Sequence, residues 1–186
     1  MKKVIILLAD GFEEIEALTV VDVLRRADIV CDIVSLGDVK VMGSHGIVVK
    51  YDKTISDGDL DQYDGIILPG GQPGSDNLKE DVRVIELVKD YFATGKLVAA
   101  ICAAPIVLAE AGILNGRACT CYPGYEGELD QNNAIVKEDL VVKDENIITS
   151  RGPATALEFS YEILNYLGEE KKTKALKEAM LYNKLL

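Results

Sequence analysis

Apolar positions along the chain switch repeatedly between an unbroken run and a helical spacing. Lys3 to Ala9 is β-branched and leucine-rich without a polar interruption, the pattern of a parallel strand buried on both faces, and Glu13 to Ala27 follows with apolar residues at helical intervals. Asp10 with Glu13 three residues on resembles a capping box, and Arg25 and Arg26 stand where the helix dipole is negative. Cys31 to Leu36 predicts a second strand. Val39 to Thr54 predicts a hairpin turning at Gly43-Ser44-His45-Gly46 and projecting from the main sheet. Gly65 to Leu68 is a short buried strand, which Pro69-Gly70-Gly71-Gln72-Pro73-Gly74 ends in a tight loop.

Val82 to Ala93 has apolar residues at Val84, Leu87, Val88 and Tyr91, and Gly95 closes this helix before the strand Leu97 to Ile101. Cys102 stands at the end of that strand, and a short helix runs from Ala103 to Gly112. Ala118 to Tyr122 is strand-like, and Ala134 to Ser150 offers short strands broken by charged turns, which together predict a small antiparallel addition. Ala154 to Leu167 and Glu169 to Leu186 are amphipathic helices, the second with Leu176, Ala179, Met180 and Leu185 on one side. Strands alternating with helices predict an α/β fold with a mainly parallel sheet covered on both faces. Ligands gather beyond the carboxyl ends of such strands, which singles out Asp10, Gly70, Gly71, Cys102 and Tyr122.

A chain of 186 residues supports one domain spanning 1–186, and 48% hydrophobic with 27% charged residues is the mixture of a soluble globular protein. The formal net charge of −11 repels phosphate backbones, so nucleic acid is not expected as a partner. Asp10 interrupts the first apolar run too early for a signal-peptide core or a membrane span. The four cysteines, Cys31, Cys102, Cys119 and Cys121, are too few and scattered for a disulfide framework, which favours a reducing cytoplasm.

Val98-Ala99-Ala100-Ile101-Cys102-Ala103-Ala104-Pro105 sets a cysteine between a buried strand and a helix, with alanines small enough for a cramped turn, as in a nucleophile elbow. Unpaired N–H groups at a helix start would lower the thiol pKa and enrich the thiolate. The bland alternative is one more small buried cysteine, and the position at a strand end argues against it. Glu16 interrupts the mostly apolar row Phe12, Glu16, Val20 and Val23. A carboxyl held out of water there would have a raised pKa and could carry a proton for Cys102. A solvated helical glutamate, as expected of Glu13 and Glu14, is the other reading, and the pattern alone does not choose. Gly70 and Gly71 could bring backbone N–H groups to an oxyanion or form an ordinary turn; the downstream pattern of a phosphate loop is missing. Cys119 and Cys121 share a strand face but lack the further ligands of a metal site, so no metal is expected.

Ala9-Asp10-Gly11-Phe12-Glu13-Glu14-Ile15-Glu16, Leu68-Pro69-Gly70-Gly71, Ala99 to Pro105 and Thr149-Ser150-Arg151-Gly152-Pro153 resemble, in the same order, the motifs of the ThiJ/PfpI superfamily, in its parkinsonism-associated deglycase branch. The resemblance implies a flavodoxin-like three-layer sandwich, a homodimer, and cofactor-free conversion of methylglyoxal and glyoxal to hydroxy acids. In that scheme Cys102 is the nucleophile and Glu16 its proton carrier. Gly71 and Ala103 donate to the oxyanion, and Gly70, Tyr122, Arg151 and Pro153 complete the pocket. It equally allows a stress sensor or chaperone working through oxidation of Cys102. A peptidase is disfavoured, because Tyr122-Pro123 stands where many relatives have histidine and proline, and a phenol is no base at neutral pH. His45, the single histidine, lies in the predicted hairpin turn and receives no catalytic role.

Overall fold

A computed structural model describes residues 2–37 and 40–185. The predicted hairpin start at Val39 and the last residue of the predicted final helix, Leu186, lie outside the described residues. The chain runs β1 (Lys3–Leu8), α1 (Glu14–Arg26), β2 (Val30–Ser35), β3 (Val41–Met42), β4 (Val48–Val49), β5 (Lys53–Thr54), β6 (Gly65–Leu68) and α2 (Gly74–Glu80). It continues through α3 (Val82–Ala93), β7 (Leu97–Ile101), α4 (Pro105–Glu110), β8 (Ala118–Cys119), α5 (Glu126–Asp130) and β9 (Ile135–Val136). The last elements are β10 (Val141–Asp144), β11 (Ile147–Ser150), α6 (Ala156–Tyr166) and α7 (Glu170–Ala179).

Seven strands form the central sheet in the order β10-β11-β7-β6-β1-β2-β5, parallel throughout except for β10, which pairs antiparallel with β11. The strand period of two divides the apolar runs between two cores. Ile5, Leu7, Ile66, Leu68, Val98 and Ala100 face α3 and α4, while Val4, Ile6, Leu8, Ile67, Ala99 and Ile101 face α1 and α6. Both faces being covered explains why these strands carry no polar alternation. The result is the three-layer α/β sandwich that the alternating pattern predicts. No helix of the described residues is long and apolar enough to cross a membrane.

Within the predicted antiparallel addition, β10 pairs antiparallel with β11 at the edge of the central sheet, and the predicted β3–β4 hairpin forms a separate antiparallel pair outside it. Other expectations need correcting. Lys53 and Thr54 leave the hairpin and join the sheet edge beside β2, and β8 with β9 pairs parallel rather than antiparallel. Helices α2 and α5 escape the periodicity because each buries very little: Gly74, Ser75 and Leu78 in the first, Leu129 in the second. Asp10 does not cap α1. Its Oδ1 accepts the Met42 N–H at 2.9 Å, and Glu13 occupies the cap position without a side-chain bond. On α7, Leu176 and Met180 pack against the core as expected, whereas Leu185 is exposed beyond the helix end.

Strand order positions the site. From β1 the chain first moves outward to β2 and then returns to place β6 on the other side of β1, so the loops after β1 and β6 diverge and leave a crevice at their carboxyl ends. Leu68 pairs with Ala100, which brings the glycines after β6 level with Cys102 after β7.

Candidate active site

Cys102 is held at the elbow from both sides. Its N–H donates to the Ser150 carbonyl at 2.9 Å, and its own carbonyl accepts the Tyr122 N–H at 2.8 Å. These bonds hold it at φ 66°, a left-handed conformation that costs a non-glycine residue energy and is retained where the surroundings dictate it. The side chain is half-buried, whereas Cys31, Cys119 and Cys121 are sealed in the two cores.

Glu16 projects from the first turn of α1 and is completely buried, so the apolar row that it interrupts does turn inward. Its Oε2 accepts the Gly70 N–H at 2.8 Å, and the carboxyl lies close enough to the Cys102 thiol for each to shift the other's protonation. Gly70 is the spacer between them: a Cβ there would stand 2.6 Å from the Cys102 Cβ and 2.7 Å from Glu16 Oε2. Gly71 adopts φ +91°, and a Cβ on it would collide with the Glu13 nitrogen, so the glycine loop presses directly on the segment leading into α1.

Burial pushes the Glu16 carboxyl up to about 7, against the opposing effect of its bonds to Cys102 and Gly70. The Cys102 thiol is also pushed up, by burial and by the negative charge and hydrogen bond of an ionised Glu16, while the N–H groups of Ala103 and Gly71 pull it down. The expected lowering by a helix start is therefore corrected. Helix α4 has only six residues and begins three positions on at Pro105, which has no N–H to offer. The two groups share one proton problem: a protonated Glu16 loses the charge that opposes the thiolate and becomes a donor to it.

Tyr122 is exposed, with its ring laid against Gly152, where a Cβ would stand 3.1 Å from Cδ2. Arg151 is half-buried and acts electrostatically on Cys121 and Glu126, and Pro153 opens the short turn Pro153–Thr155. The structure thus gathers Cys102, Glu16, Gly70, Gly71, Ala103 and Tyr122. Arg151 and Pro153 flank the glycine under the Tyr122 ring, and no bond joins either side chain to Cys102. Asp10 is turned away to the hairpin.

Glu14 is not the solvated glutamate that its position suggested. It is buried, and its carboxylate templates the hairpin turn, accepting the His45 N–H at 2.8 Å, the His45 Nδ1 at 2.8 Å and the Ser44 hydroxyl at 3.3 Å. Burial alone would raise its pKa, but the bonds from His45 and neighbouring backbone hold it at about 2. No periodicity reveals this, since the partners lie thirty residues away. Glu13, Glu14 and His45 bring possible ligand atoms within 4.8 Å of one another, and a divalent cation there would have to displace the His45–Glu14 hydrogen bond.

The sheet and elbow together define a class: α/β proteins that present a strained cysteine beside a buried carboxyl at a strand-to-helix turn. The profile of the DJ-1/PfpI family matches residues 2–166, and the chain belongs to that family. It is 38% identical to the dj-1beta protein of Drosophila melanogaster over 97% of both chains, and superposes on that protein's crystal structure with a TM-score of 0.92. It is 38% identical to the Parkinson disease protein 7 homolog of Danio rerio over 89% of each chain. The oxidized DJ-1 of Toxoplasma gondii, 34% identical, superposes with a TM-score of 0.91 over 97% of this chain and 98% of that one.

Proposed function

We propose that the chain is a cofactor-independent, cysteine-dependent enzyme converting small dicarbonyl aldehydes such as methylglyoxal to hydroxy acids. The observation that carries this reading is the pairing of the elbow cysteine with a buried carboxyl whose pKa is raised to about 7, where it can both give and take a proton. The Cys102 sulfur adds to the aldehyde carbon, and the thiol proton passes through Glu16 to the new alkoxide, giving a hemithioacetal. Glu16 then removes the proton from that carbon and the neighbouring carbonyl carbon receives one, so the adduct isomerises to a 2-hydroxy thioester. Water cleaves the thioester, releasing the hydroxy acid and restoring the thiol. The N–H groups of Gly71 and Ala103, which face the sulfur, stabilise the oxyanions. Tyr122 supplies an exposed phenol at the rim as a hydrogen-bond donor.

The test is lactate release from methylglyoxal without glutathione. Cys102→Ser and Glu16→Gln should each lower the rate at least about a hundredfold, and an unchanged rate in Cys102→Ser sinks the reading. A sensor is the second reading, favoured by the same half-buried sulfur beside a carboxyl able to donate to an oxidised form. Wild-type protein that gives no lactate but gains oxygen mass on Cys102 under mild peroxide would replace the first reading with this one. A Ser-His-Asp-like peptidase mechanism has less support, because His45 is tied to Glu14 on the hairpin.

A homodimer fits the surface next to the site. Ile15 on α1, at 56% exposure, and Met42, Ile47 and Val48 on the hairpin that Glu14 ties to α1 leave large apolar side chains in solvent. Val48→Glu should convert a dimer to a monomer in light scattering after gel filtration; a wild-type monomer would refute the assignment.

A further inference from the structure

Two polar links join the segment carrying Tyr122 to the glycine loop and to the helix α2 that follows it, and the chemistry above uses neither. Gln72 directly follows Gly71, and its Nε2 donates to the Tyr125 hydroxyl at 3.1 Å and to Asp76 Oδ1 at 3.3 Å. Tyr125 in turn donates its N–H to the Tyr122 carbonyl at 3.2 Å, and Tyr122 donates its own to Cys102. The Gly71 N–H faces the Cys102 sulfur. Gly71, Gln72, Tyr125, Tyr122 and Cys102 therefore form a closed chain of contacts that includes the sulfur, in which Gln72 to Tyr125 is the contact made between two side chains. Tyr125 is half-buried and packs against the core, whereas Gln72 is exposed, so this contact lies at the solvent edge of that chain. Further back, Lys79 and Glu128 pair at 2.6 Å and tie α2 to α5.

We propose that Gln72 and Tyr125 form a clasp across the entrance to Cys102 and set the size of the electrophile admitted, favouring unbranched two- and three-carbon aldehydes over branched or aryl ones. The substrate part of this statement rests on the aldehyde reading; the control of access to the sulfur does not. A segment anchored by backbone bonds at Tyr122 and by an ion pair at Glu128 can swing at its exposed middle only when the Gln72–Tyr125 bond breaks. Small reagents pass without that opening, and large ones need it.

The experiment measures labelling of Cys102 by N-methylmaleimide and by N-phenylmaleimide, which form the same thioether and differ in bulk. Intact mass reports a single adduct, because Cys31, Cys119 and Cys121 are buried to 1% exposure or less. Tyr125→Phe, which keeps the ring in the core, and Gln72→Ala should each raise the phenyl-to-methyl rate ratio about two- to tenfold, the effect of losing one neutral hydrogen bond. The double variant should show no further rise, since both changes break the same bond. A ratio within about 1.5-fold of wild type in both single variants, or an equal acceleration of both reagents, overturns the clasp. Absence of methylglyoxal turnover by wild type would remove the aldehyde reading while leaving the labelling ratio to decide the clasp.

Discussion

Replacing Glu16 by glutamine isolates the cost of burying its charge. In the folded protein the carboxyl is raised from the ordinary 4.5 to about 7, chiefly by burial, so the fold favours its protonated form. The stability this confers is complete below about pH 4.5, where folded and unfolded chains both carry the proton, and declines as pH rises to about 7, where the unfolded chain has already ionised. At 1.36 kcal/mol per pKa unit the loss across that window is roughly 3 kcal/mol. Glutamine resembles the protonated acid in shape and cannot ionise. Urea unfolding of wild type and Glu16→Gln at pH 4.5, 5.5, 6.5 and about 7.5 measures the difference, and titrations common to both proteins cancel from it. The wild type should lose ground to the variant by roughly 3 kcal/mol over the series. Repeating the pair in a Cys102→Ser background removes the coupled thiol. A difference that stays flat with pH, or a wild type that gains on the variant as pH rises, would show that the carboxyl is not held against its charge.

Gly70→Ala should both destabilise the protein by about 1–3 kcal/mol and slow maleimide labelling of Cys102, because the added Cβ lands between the Cys102 and Glu16 side chains; normal stability with normal labelling would mean that the loop yields freely. Glu14→Ala should lower the thermal midpoint, since it leaves the turn from Gly43 to Ile47 without the carboxylate that receives the His45 and Ser44 donors. For wild type the contribution of Glu14 is present above about pH 4.5 and fades as pH falls toward about 2, so the gap between the two proteins should narrow in acid.

What the sequence makes legible is whatever a local period encodes. Uninterrupted apolar runs identify β1, β6 and β7, and Val82 to Ala93 matches α3 from end to end, because each buries a full face and leaves a complete pattern. Cys102 is legible for a related reason: a strand end, small neighbours and a turn occur within eight residues. Glu16 is half legible, since the row allows an acid facing inward without choosing it over a solvated one, and shows neither the sulfur nor the Gly70 N–H beside it. The roles of Asp10 and Glu14 are hidden from any local pattern because their partners, Met42 and His45, come from a hairpin some thirty residues away. Gln72 and Tyr125 gave no signal at all: each is an ordinary polar loop residue until the fold brings together positions 53 residues apart.

The thiol and the carboxyl also explain each other's oddities. A buried acid without a cationic partner is costly to ionise, and a half-buried thiol beside an ionised acid is harder to ionise still. The pair avoids carrying both charges at once by losing a single proton, which the carboxyl, raised to about 7, gives up before the thiol. Gly70 is what permits this arrangement, because any side chain there would occupy the space through which the proton is shared. The left-handed φ at Cys102 belongs to the same elbow: backbone bonds to Ser150 and Tyr122 hold the residue where its side chain adjoins the carboxyl.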